Sequence, residues 1–268
     1  MDSSLDAAQR GYLAGMSAQT HAVGVDFGGS GIKGAPVDLE RGEFAADRVR
    51  IPTPDHATPD NVADVVDELF EQLDLDRHLP VGITIPGIVR HGVVGSAANI
   101  DHSWIDADAD ALFTKRLDRP VVVVNDADAA GLAEARYGAA RDCDGLVVVT
   151  TLGTGIGTAL IYRGVLIPNA ELGHIEIDGH DAETRAANSV REKEDLSYEE
   201  WAERLTTYYA TLERLLSPDL FVIGGGVSKK ADKFIGRIGV VTPLVAAELR
   251  NTAGIVGAAL LASEVHED

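Results

Sequence analysis

The sequence has almost no cysteine and no long apolar run. Among its 268 residues, Cys143 is the single cysteine, which excludes an internal disulfide and any zinc site built from several thiolates. No apolar stretch approaches the roughly 20 residues that a membrane-spanning helix needs. The N-terminal segment, with Asp2, Asp6 and Arg10, also lacks the apolar middle of a signal peptide. These absences predict a cytoplasmic protein that does not bind membranes.

Positive charge is also scarce. The chain has 23 Lys and Arg against 43 Asp and Glu, which gives a formal net charge of -20. This balance argues against binding to nucleic acid or to anionic lipid, because both need clustered cations that neutralise phosphates. Repulsion is screened beyond about 8 Å at physiological salt. A local basic cluster can therefore still attract a polyanion.

Two glycine-rich segments of similar design are present. Ala22–Gly34 and Gly145–Thr158 each contain an apolar run of strand type, then glycines with small hydroxyl residues, then a second apolar run. Glycine lets backbone N–H groups approach an oxyanion closely. An ordinary hairpin turn is the better explanation of either segment alone. The pair together predicts that a phosphate is held from two sides.

A third glycine turn, Gly224–Gly226, follows the apolar strand Leu220–Ile223 and is expected to precede a helix. A helix N-terminus there would favour an anion, but a tight turn that needs positive φ explains the glycines equally well. Four cations follow closely, namely Lys229, Lys230, Lys233 and Arg237. They form either a solvated helix face or a track for a long phosphate chain.

Two common nucleotide-binding motifs do not fit. The sequence contains no Gly-x-x-x-x-Gly-Lys-Ser/Thr segment, which argues against a P-loop site. The glycines of the first segment join two predicted strands, whereas those of the dinucleotide-binding fingerprint open a helix. The glycine hairpins therefore need a different explanation.

Repetition of the glycine hairpin predicts two related α/β lobes with a central cleft that can close on substrate. The predicted organisation is an N-terminal tail over 1–20, a small α/β domain over 21–124 joined by a C-terminal helix over 252–266, and a large α/β domain over 125–251. A third strand is predicted near Phe44–Ile51. Apolar residues at helical spacing predict a helix over Val62–Leu73.

The apolar strand Val121–Val124 ends at Asn125 and Asp126. Ligands of open α/β sheets collect at the carboxyl ends of such strands, so Asp126 is a candidate general base for a substrate hydroxyl. Asn-Asp is equally typical of a helix N-cap, and the alternative is that it only caps the helix that begins at Ala127. Asp128 competes with Asp126 for the role of base, and spacing alone does not decide between them.

Glu171-Leu-Gly-His174 is a second candidate site. A carboxylate and an imidazole three residues apart can hold neighbouring hydroxyls of a sugar, and Glu176 and Glu183 follow closely. A metal site or a solvated acidic turn are the alternatives. The nearby His180 does not fit a standard metal-ligand spacing.

Together these residues resemble the motifs of the ROK family of sugar kinases. Asp26–Lys33 and Leu152–Gly157 resemble its two phosphate motifs, Asn125–Ala130 its catalytic segment, Glu171–His174 its sugar motif and Gly224–Gly226 its adenosine-side turn. The resemblance covers Ala22 to Ala262 in the family's order. It implies an α/β fold of the actin/hexokinase-like (ribonuclease H-like) class, with two lobes and a central cleft.

The resemblance also implies roles for individual residues. Asp126 is the expected catalytic base. The expected sugar-binding residues are Gly87, Asn99, Asn125, Asp126, Glu171, His174 and Glu183. The expected phosphate- or nucleotide-binding residues are Asp26, Gly28, Gly29, Ser30, Lys33, Thr151, Gly153, Thr154, Gly155, Gly224, Gly225 and Gly226.

Within the family, Asp26–Gly34, Ala98–Asp101 with Trp104, and Gly179–Glu183 are most similar to the branch that phosphorylates glucose with inorganic polyphosphate. Gly179–Glu183 replaces the cysteine-rich zinc loop of many family members, which implies no zinc. The resemblance implies Mg²⁺ near Asp26, polyphosphate and ATP as donors, and the 6-hydroxyl of glucose, with mannose as a second candidate sugar. A homodimer is one candidate assembly. The alternatives are an ATP-only kinase of a hexose or N-acetylhexosamine, and a sugar sensor without catalysis.

Overall fold

The computed structural model describes residues 20–75, 78–97 and 100–266. They divide into two compact units, one within 1–129 and 254–268 and the other within 130–253. The predicted domain boundaries stay a prediction. Among the described residues, no helix combines the length and the apolar character needed to span a bilayer.

The secondary structure consists of groups of consecutive strands separated by helices. The strands are β1 His21–Gly28, β2 Gly31–Asp38, β3 Glu43–Phe44, β4 Val49–Ile51, β5 Val81–Ile85, β6 Val89–Arg90, β7 Val93–Val94, β8 Val121–Asn125, β9 Leu146–Leu152, β10 Ile156–Tyr162, β11 Val165–Ile167, β12 Glu176–Ile177, β13 His180–Asp181, β14 Leu220–Gly224 and β15 Leu244–Ala246. The α-helices are α1 Pro59–Leu73, α2 Ala109–Leu117, α3 Asp126–Tyr137, α4 Glu183–Ala186, α5 Asn188–Lys193, α6 Tyr198–Leu216 and α7 Ala253–His266. Short 3₁₀ segments span His102–Trp104, Leu172–His174, Gly226–Lys233, Ile235–Arg237 and Arg250–Thr252.

The first unit is built on a sheet with the strand order β3-β2-β1-β5-β8, in which β4 also pairs with β2. The strands β1, β5 and β8 are parallel, and the β1–β2 hairpin is antiparallel. Helix α1 begins after the N-cap Thr58 and buries an apolar face that includes Val66, Leu69 and Phe70. Because β1, β5 and β8 are parallel, their carboxyl ends lie on the same side of the sheet, which is where ligands of α/β proteins bind.

The predicted strand near Phe44–Ile51 is divided into β3 and β4. Strand β4 pairs with Ile32–Gly34 of β2, and β3 pairs with Val37 and Asp38. Pro36 lies between these two paired stretches of β2, and it has no backbone N–H to donate. The ladder is therefore interrupted at this position.

Helix α7 packs closely against the sheet of the first unit. A side chain on Gly24 of β1 would overlap the carbonyl oxygen of Ile255, and one on Gly82 of β5 would overlap that of Ala258. Both glycines are needed because the helix backbone lies directly on the strands. This contact also brings Gly254, near the start of α7, beside the carboxylate of Asp26.

The second unit is built on a sheet with the strand order β11-β10-β9-β14-β15. Its largest buried side chains include Trp201 and Tyr209 of α6 and Phe221 of β14. Helix α6 begins with a capping box, in which Ser197 Oγ accepts the N–H of Glu200 at 3.2 Å and Glu200 Oε2 accepts the N–H of Ser197 at 2.9 Å. The hairpin β12–β13 and the short helix α4 follow the sheet strands β9 to β11 in the chain.

Candidate functional site

The first glycine hairpin carries a row of charged side chains on neighbouring strands. Asp26 of β1 is paired with Lys33 of β2, and Lys33 is paired with Arg50 of β4. Lys33 Nζ donates to Asp26 Oδ2 at 3.0 Å, and Thr84 Oγ1 donates to Asp26 Oδ1 at 3.2 Å. Arg50 Nη2 donates to the carbonyl oxygen of Ser30 at 2.7 Å. Two cations therefore flank the glycine turn that the sequence predicts to bind phosphate.

Both residues of the polar pair at the end of β8 cap the helix that follows, since Asp126 Oδ1 also accepts the N–H of Ala127, at 2.9 Å. Asn125 Oδ1 accepts the N–H groups of Ala127 at 2.9 Å and Asp128 at 3.0 Å, while its Nδ2 donates to the Gly87 carbonyl oxygen at 3.0 Å. Asn125 is thus the N-cap of α3, as one of the two alternatives predicts. Asp126 is half-buried, whereas Asp128 is only 1% exposed. This difference favours Asp126 over Asp128 as the carboxylate that can meet a substrate.

The second glycine hairpin is joined directly to Glu183. Strands β9 and β10 pair with Leu152 opposite Ile156, so the turn consists of Gly153, Thr154 and Gly155. Glu183 Oε2 accepts the N–H of Ile156 at 3.0 Å. A side chain on Gly155 would overlap this carboxylate. Glycine at this position therefore lets an acidic side chain approach the hairpin backbone.

The third glycine turn lies beside the second hairpin. Strand β14 is parallel to β9, with Gly224 opposite Thr151, and Gly225 has a φ of 81°. The turn leads into a 3₁₀ segment with a kink at Lys230, where the sequence predicts a helix. This short segment therefore aligns fewer backbone amides toward an anion than the N-terminus of a regular α-helix would.

The four predicted track cations differ in their surroundings. Lys233 Nζ lies 5.4 Å from the centre of the Tyr198 ring, and Arg237 Nη1 lies 3.5 Å from Glu199 Oε1. Lys229 and Lys230 are exposed, and within the described part of the chain neither forms an ion pair with a carboxylate. Of these four cations, Lys229 and Lys230 are thus the most available to an anionic ligand.

Four side chains meet around the segment Leu172–His174 and the hairpin β12–β13: the three predicted ones, Glu171, His174 and Glu183, and Asp181. His174 Nδ1 lies 2.9 Å from Asp181 Oδ2 and 3.9 Å from Glu183 Oε1, and His174 Nε2 lies 4.0 Å from Glu171 Oε2. The hydrogen bond that His174 donates to Asp181 is the main cause that raises the pKa of His174 above its ordinary value, and Glu183 and Glu171 act in the same direction. Partial burial opposes this rise.

This cluster also offers a set of metal ligands. Single ligand atoms of His174, Asp181 and Glu183 all lie within 4.8 Å of one another. One nitrogen and two carboxylate oxygens suit several divalent ions. An ion would have to replace the 2.9 Å contact between His174 Nδ1 and Asp181 Oδ2.

The structure therefore brings Glu171, His174 and Glu183 together, and it joins Gly87 to Asn125. The predicted sugar residue Asn99 lies outside the described residues.

Three side chains of these clusters were not predicted, namely Arg50, Thr84 and Asp181. Asp181 lies in the segment Gly179–Glu183 that carries part of the family resemblance, so its neighbourhood was recognisable. Arg50 and Thr84 carry no motif signal because only strand pairing brings them to Ser30 and Asp26.

These features define a class of α/β protein that holds phosphate with glycine hairpins and presents a carboxylate–imidazole cluster suited to a polyhydroxylated ligand. A model of the ROK family matches residues 22–189, and the chain belongs to this family. It is 50% identical over 247 residues to a polyphosphate glucokinase of Mycobacterium tuberculosis (strain CDC 1551 / Oshkosh), with 92% of each chain covered.

Two solved structures extend the comparison. The inorganic polyphosphate/ATP-glucomannokinase of Arthrobacter sp. strain KM is 53% identical, with a TM-score of 0.87 over 92% of this chain and 100% of that chain. A ROK family glucokinase of Streptomyces griseus, solved with glucose and AMPPNP, is 27% identical, with a TM-score of 0.79 over 91% of this chain and 99% of that one. The predicted actin/hexokinase-like α/β fold class is thereby confirmed. The predicted cleft stays a prediction.

Proposed function

We propose that this protein is a kinase that transfers a phosphoryl group from inorganic polyphosphate to the 6-hydroxyl of glucose. The observation that carries the proposal is that Glu183 contacts both Ile156, directly after the turn of the second glycine hairpin, and His174. One carboxylate thus links an element suited to phosphate to one suited to a sugar. The 50% identity to a named polyphosphate glucokinase supports the same donor and acceptor.

Asp126 is the proposed general base. The 6-hydroxyl oxygen of the sugar forms a bond to the terminal phosphorus while the bond from that phosphorus to the bridging oxygen of the donor breaks. The hydroxyl proton passes to the Asp126 carboxylate, and the products are the sugar 6-phosphate and a donor shortened by one phosphate. Asp126 is only partly buried at the start of α3, so a substrate can reach it. The Asn125 cap fixes the helix that carries Asp126.

The remaining hydroxyls of the sugar are proposed partners of Glu171, His174 and Glu183. Carboxylates accept hydrogen bonds from hydroxyls, and an imidazole nitrogen can accept or donate one. We propose that Gly87, Asn99 and Asn125 contribute further contacts. Asn125 has its amide oxygen engaged with two backbone N–H groups, so its contribution is mainly to hold the segment in place.

The donor phosphates are proposed to bind the glycine turns Gly28–Ser30, Gly153–Gly155 and Gly224–Gly226, with Lys33 and Thr151 beside them. Backbone N–H groups there can stabilise charge on the transferring group. The exposed Lys229 and Lys230 extend this anion site along the 3₁₀ segment. Lys233 and Arg237 contribute less in this proposal because each already has a partner side chain.

Kinases of this type work with a divalent metal, and Mg²⁺ is the proposed ion. Asp26 supplies the oxygen ligands that Mg²⁺ prefers, but both of its oxygens already accept hydrogen bonds, from Lys33 and Thr84. Asp26 therefore fits the ion best through a bound water. When bound, the ion would neutralise charge on the donor phosphates.

ATP as a second donor, mannose as a second acceptor and a cytoplasmic location are also proposed. Initial rates with each pairing of glucose or mannose and polyphosphate or ATP test the donor and acceptor. We expect turnover of glucose with polyphosphate. Turnover with ATP alone would favour the ATP-only alternative, and glucose binding without product from any donor would favour the non-catalytic sensor.

A further inference from the structure

Asp181 contacts two of the proposed sugar-binding residues through separate oxygens. Its Oδ2 lies 2.9 Å from His174 Nδ1, and its Oδ1 accepts the N–H of Glu183 at 3.1 Å. Glu183 begins α4, and Asp181 ends β13. One carboxylate therefore fixes both a side chain of the Leu172–His174 segment and the first residue of a helix.

We propose that Asp181 is a positioning residue for sugar binding. This inference rests on the proposed function. The carboxylate accepts the Nδ1 proton of His174, which fixes the imidazole tautomer and directs Nε2 away from Asp181, toward Glu171 and the sugar. The second oxygen holds the start of α4, so that the Glu183 carboxylate reaches Ile156.

The hairpin that carries Asp181 does not depend on this carboxylate. Backbone pairs join Glu176 to Asp181 and Ile177 to His180, and the N–H of Ala182 donates to the Ile175 carbonyl oxygen at 3.0 Å. Thr184 Oγ1 donates to the backbone carbonyl oxygen of Asp181 at 2.6 Å. A change confined to the carboxylate should therefore leave the hairpin folded, so its effect on sugar binding can be measured.

The electrostatics of the cluster agree with this role. Asp181 provides the largest single contribution that raises the pKa of His174. The other acidic side chains that face the ring, Glu183 and Glu171, lie 3.9 and 4.0 Å from its nitrogens. Among the acidic side chains that the structure describes, Asp181 is thus the one within hydrogen-bond distance of the ring, since both longer distances exceed the usual range.

Two substitutions remove the contacts of the Asp181 carboxylate to different extents. Asp181→Asn keeps one acceptor oxygen, which can serve either His174 or Glu183 but not both, and Asp181→Ala removes both acceptors. Asp178→Asn is the matched control: it removes the same charge from the same hairpin at an exposed position with a φ of 52°, a conformation that Asn tolerates. Thermal unfolding of all three variants checks that each is folded.

The test combines ¹⁵N NMR of the His174 ring with steady-state kinetics of the full chain. We expect the Nδ1–H tautomer in the unsubstituted protein and in Asp178→Asn, and a shift toward Nε2–H in Asp181→Asn. We also expect the KM for glucose to rise about tenfold in Asp181→Asn and further in Asp181→Ala, from the loss of charge-assisted hydrogen bonds. The KM for polyphosphate should change much less.

An unchanged His174 tautomer or an unchanged KM for glucose in Asp181→Ala would overturn the inference. A His174 spectrum that changes when a chelator is added would also overturn it, because a metal ion would then occupy the Nδ1 position. A protein that turns over no sugar with any donor would refute the proposed function instead. The tautomer of His174 in the variants would then still decide whether Asp181 orients the ring.

Discussion

The Glu183 carboxylate accepts the backbone N–H of Ile156 at 3.0 Å, at the point where the second glycine hairpin re-enters the sheet. Its other oxygen lies 3.9 Å from His174 Nδ1. A single side chain therefore couples the proposed donor-binding hairpin to the proposed sugar-binding cluster. Binding of one substrate can influence the other through this side chain.

Substitution of Glu183 should separate these two contacts. Glu183→Gln retains an oxygen that can accept from Ile156 but loses the charge beside His174, so we expect a higher KM for glucose with little change in the KM for polyphosphate. Glu183→Ala also loses the hydrogen bond to Ile156, so we expect the KM for polyphosphate to rise by about tenfold in addition to the rise in the KM for glucose. Equal effects of the two substitutions on the donor would contradict this coupling.

The exposed cations of the 3₁₀ segment should act on the long donor. We expect the double substitution Lys229→Gln and Lys230→Gln to raise the KM for polyphosphate severalfold with little change in the KM for ATP, since a long chain contacts more cations. Added salt should reduce the difference. Arg237→Gln is the comparison, because its guanidinium is paired with Glu199, and it should have a smaller effect. The same loss with both donors would contradict a polyphosphate track.

Glu134 should matter for stability. Its side chain is 1% exposed and accepts the N–H groups of Ala139, Glu248 and Leu249 at 2.8 to 3.1 Å. Glu134→Ala leaves three donors without this partner, so we expect the free energy of unfolding to fall by about 3 kcal/mol. Urea denaturation measures the change. A midpoint equal to that of the unsubstituted protein would show that water replaces the carboxylate at no cost.

His174 should make stability depend on pH. Its pKa is raised in the folded state, so protonation favours folding: the contribution is complete below the ordinary pKa of about 6.5 and is lost as pH rises through the raised value. The melting temperature, followed across this interval, should therefore fall more in the unsubstituted protein than in His174→Gln. Parallel curves for the two proteins would contradict the assignment.

The sequence predicted those parts of the site that local pattern determines. Both glycine hairpins, the strand before Asp126 and the Glu171–His174 segment lie where strand alternation and glycine placement indicate. The contacts of Asp181 and Arg50 depend on how a short hairpin folds back and on the register of β4 against β2. A linear pattern does not contain this information, because a shift of one residue moves a side chain to the other face of a strand.

The choice between Asp126 and Asp128 shows the same limit. Both lie in the first turn of α3, two residues apart, and spacing alone does not decide between them. Burial distinguishes them, since Asp128 is 1% exposed and Asp126 is half-buried. Packing of the helix, which no local pattern specifies, therefore favours Asp126.

The most direct test of the account is the rate at which Asp126→Ala forms glucose 6-phosphate from polyphosphate and glucose, measured beside the unsubstituted protein. General-base catalysis contributes about 10² to 10⁴ in rate, so we expect kcat to fall by at least the lower factor while glucose still binds with little loss of affinity. Turnover by Asp126→Ala close to that of the unsubstituted protein would contradict the assignment of Asp126 as the base.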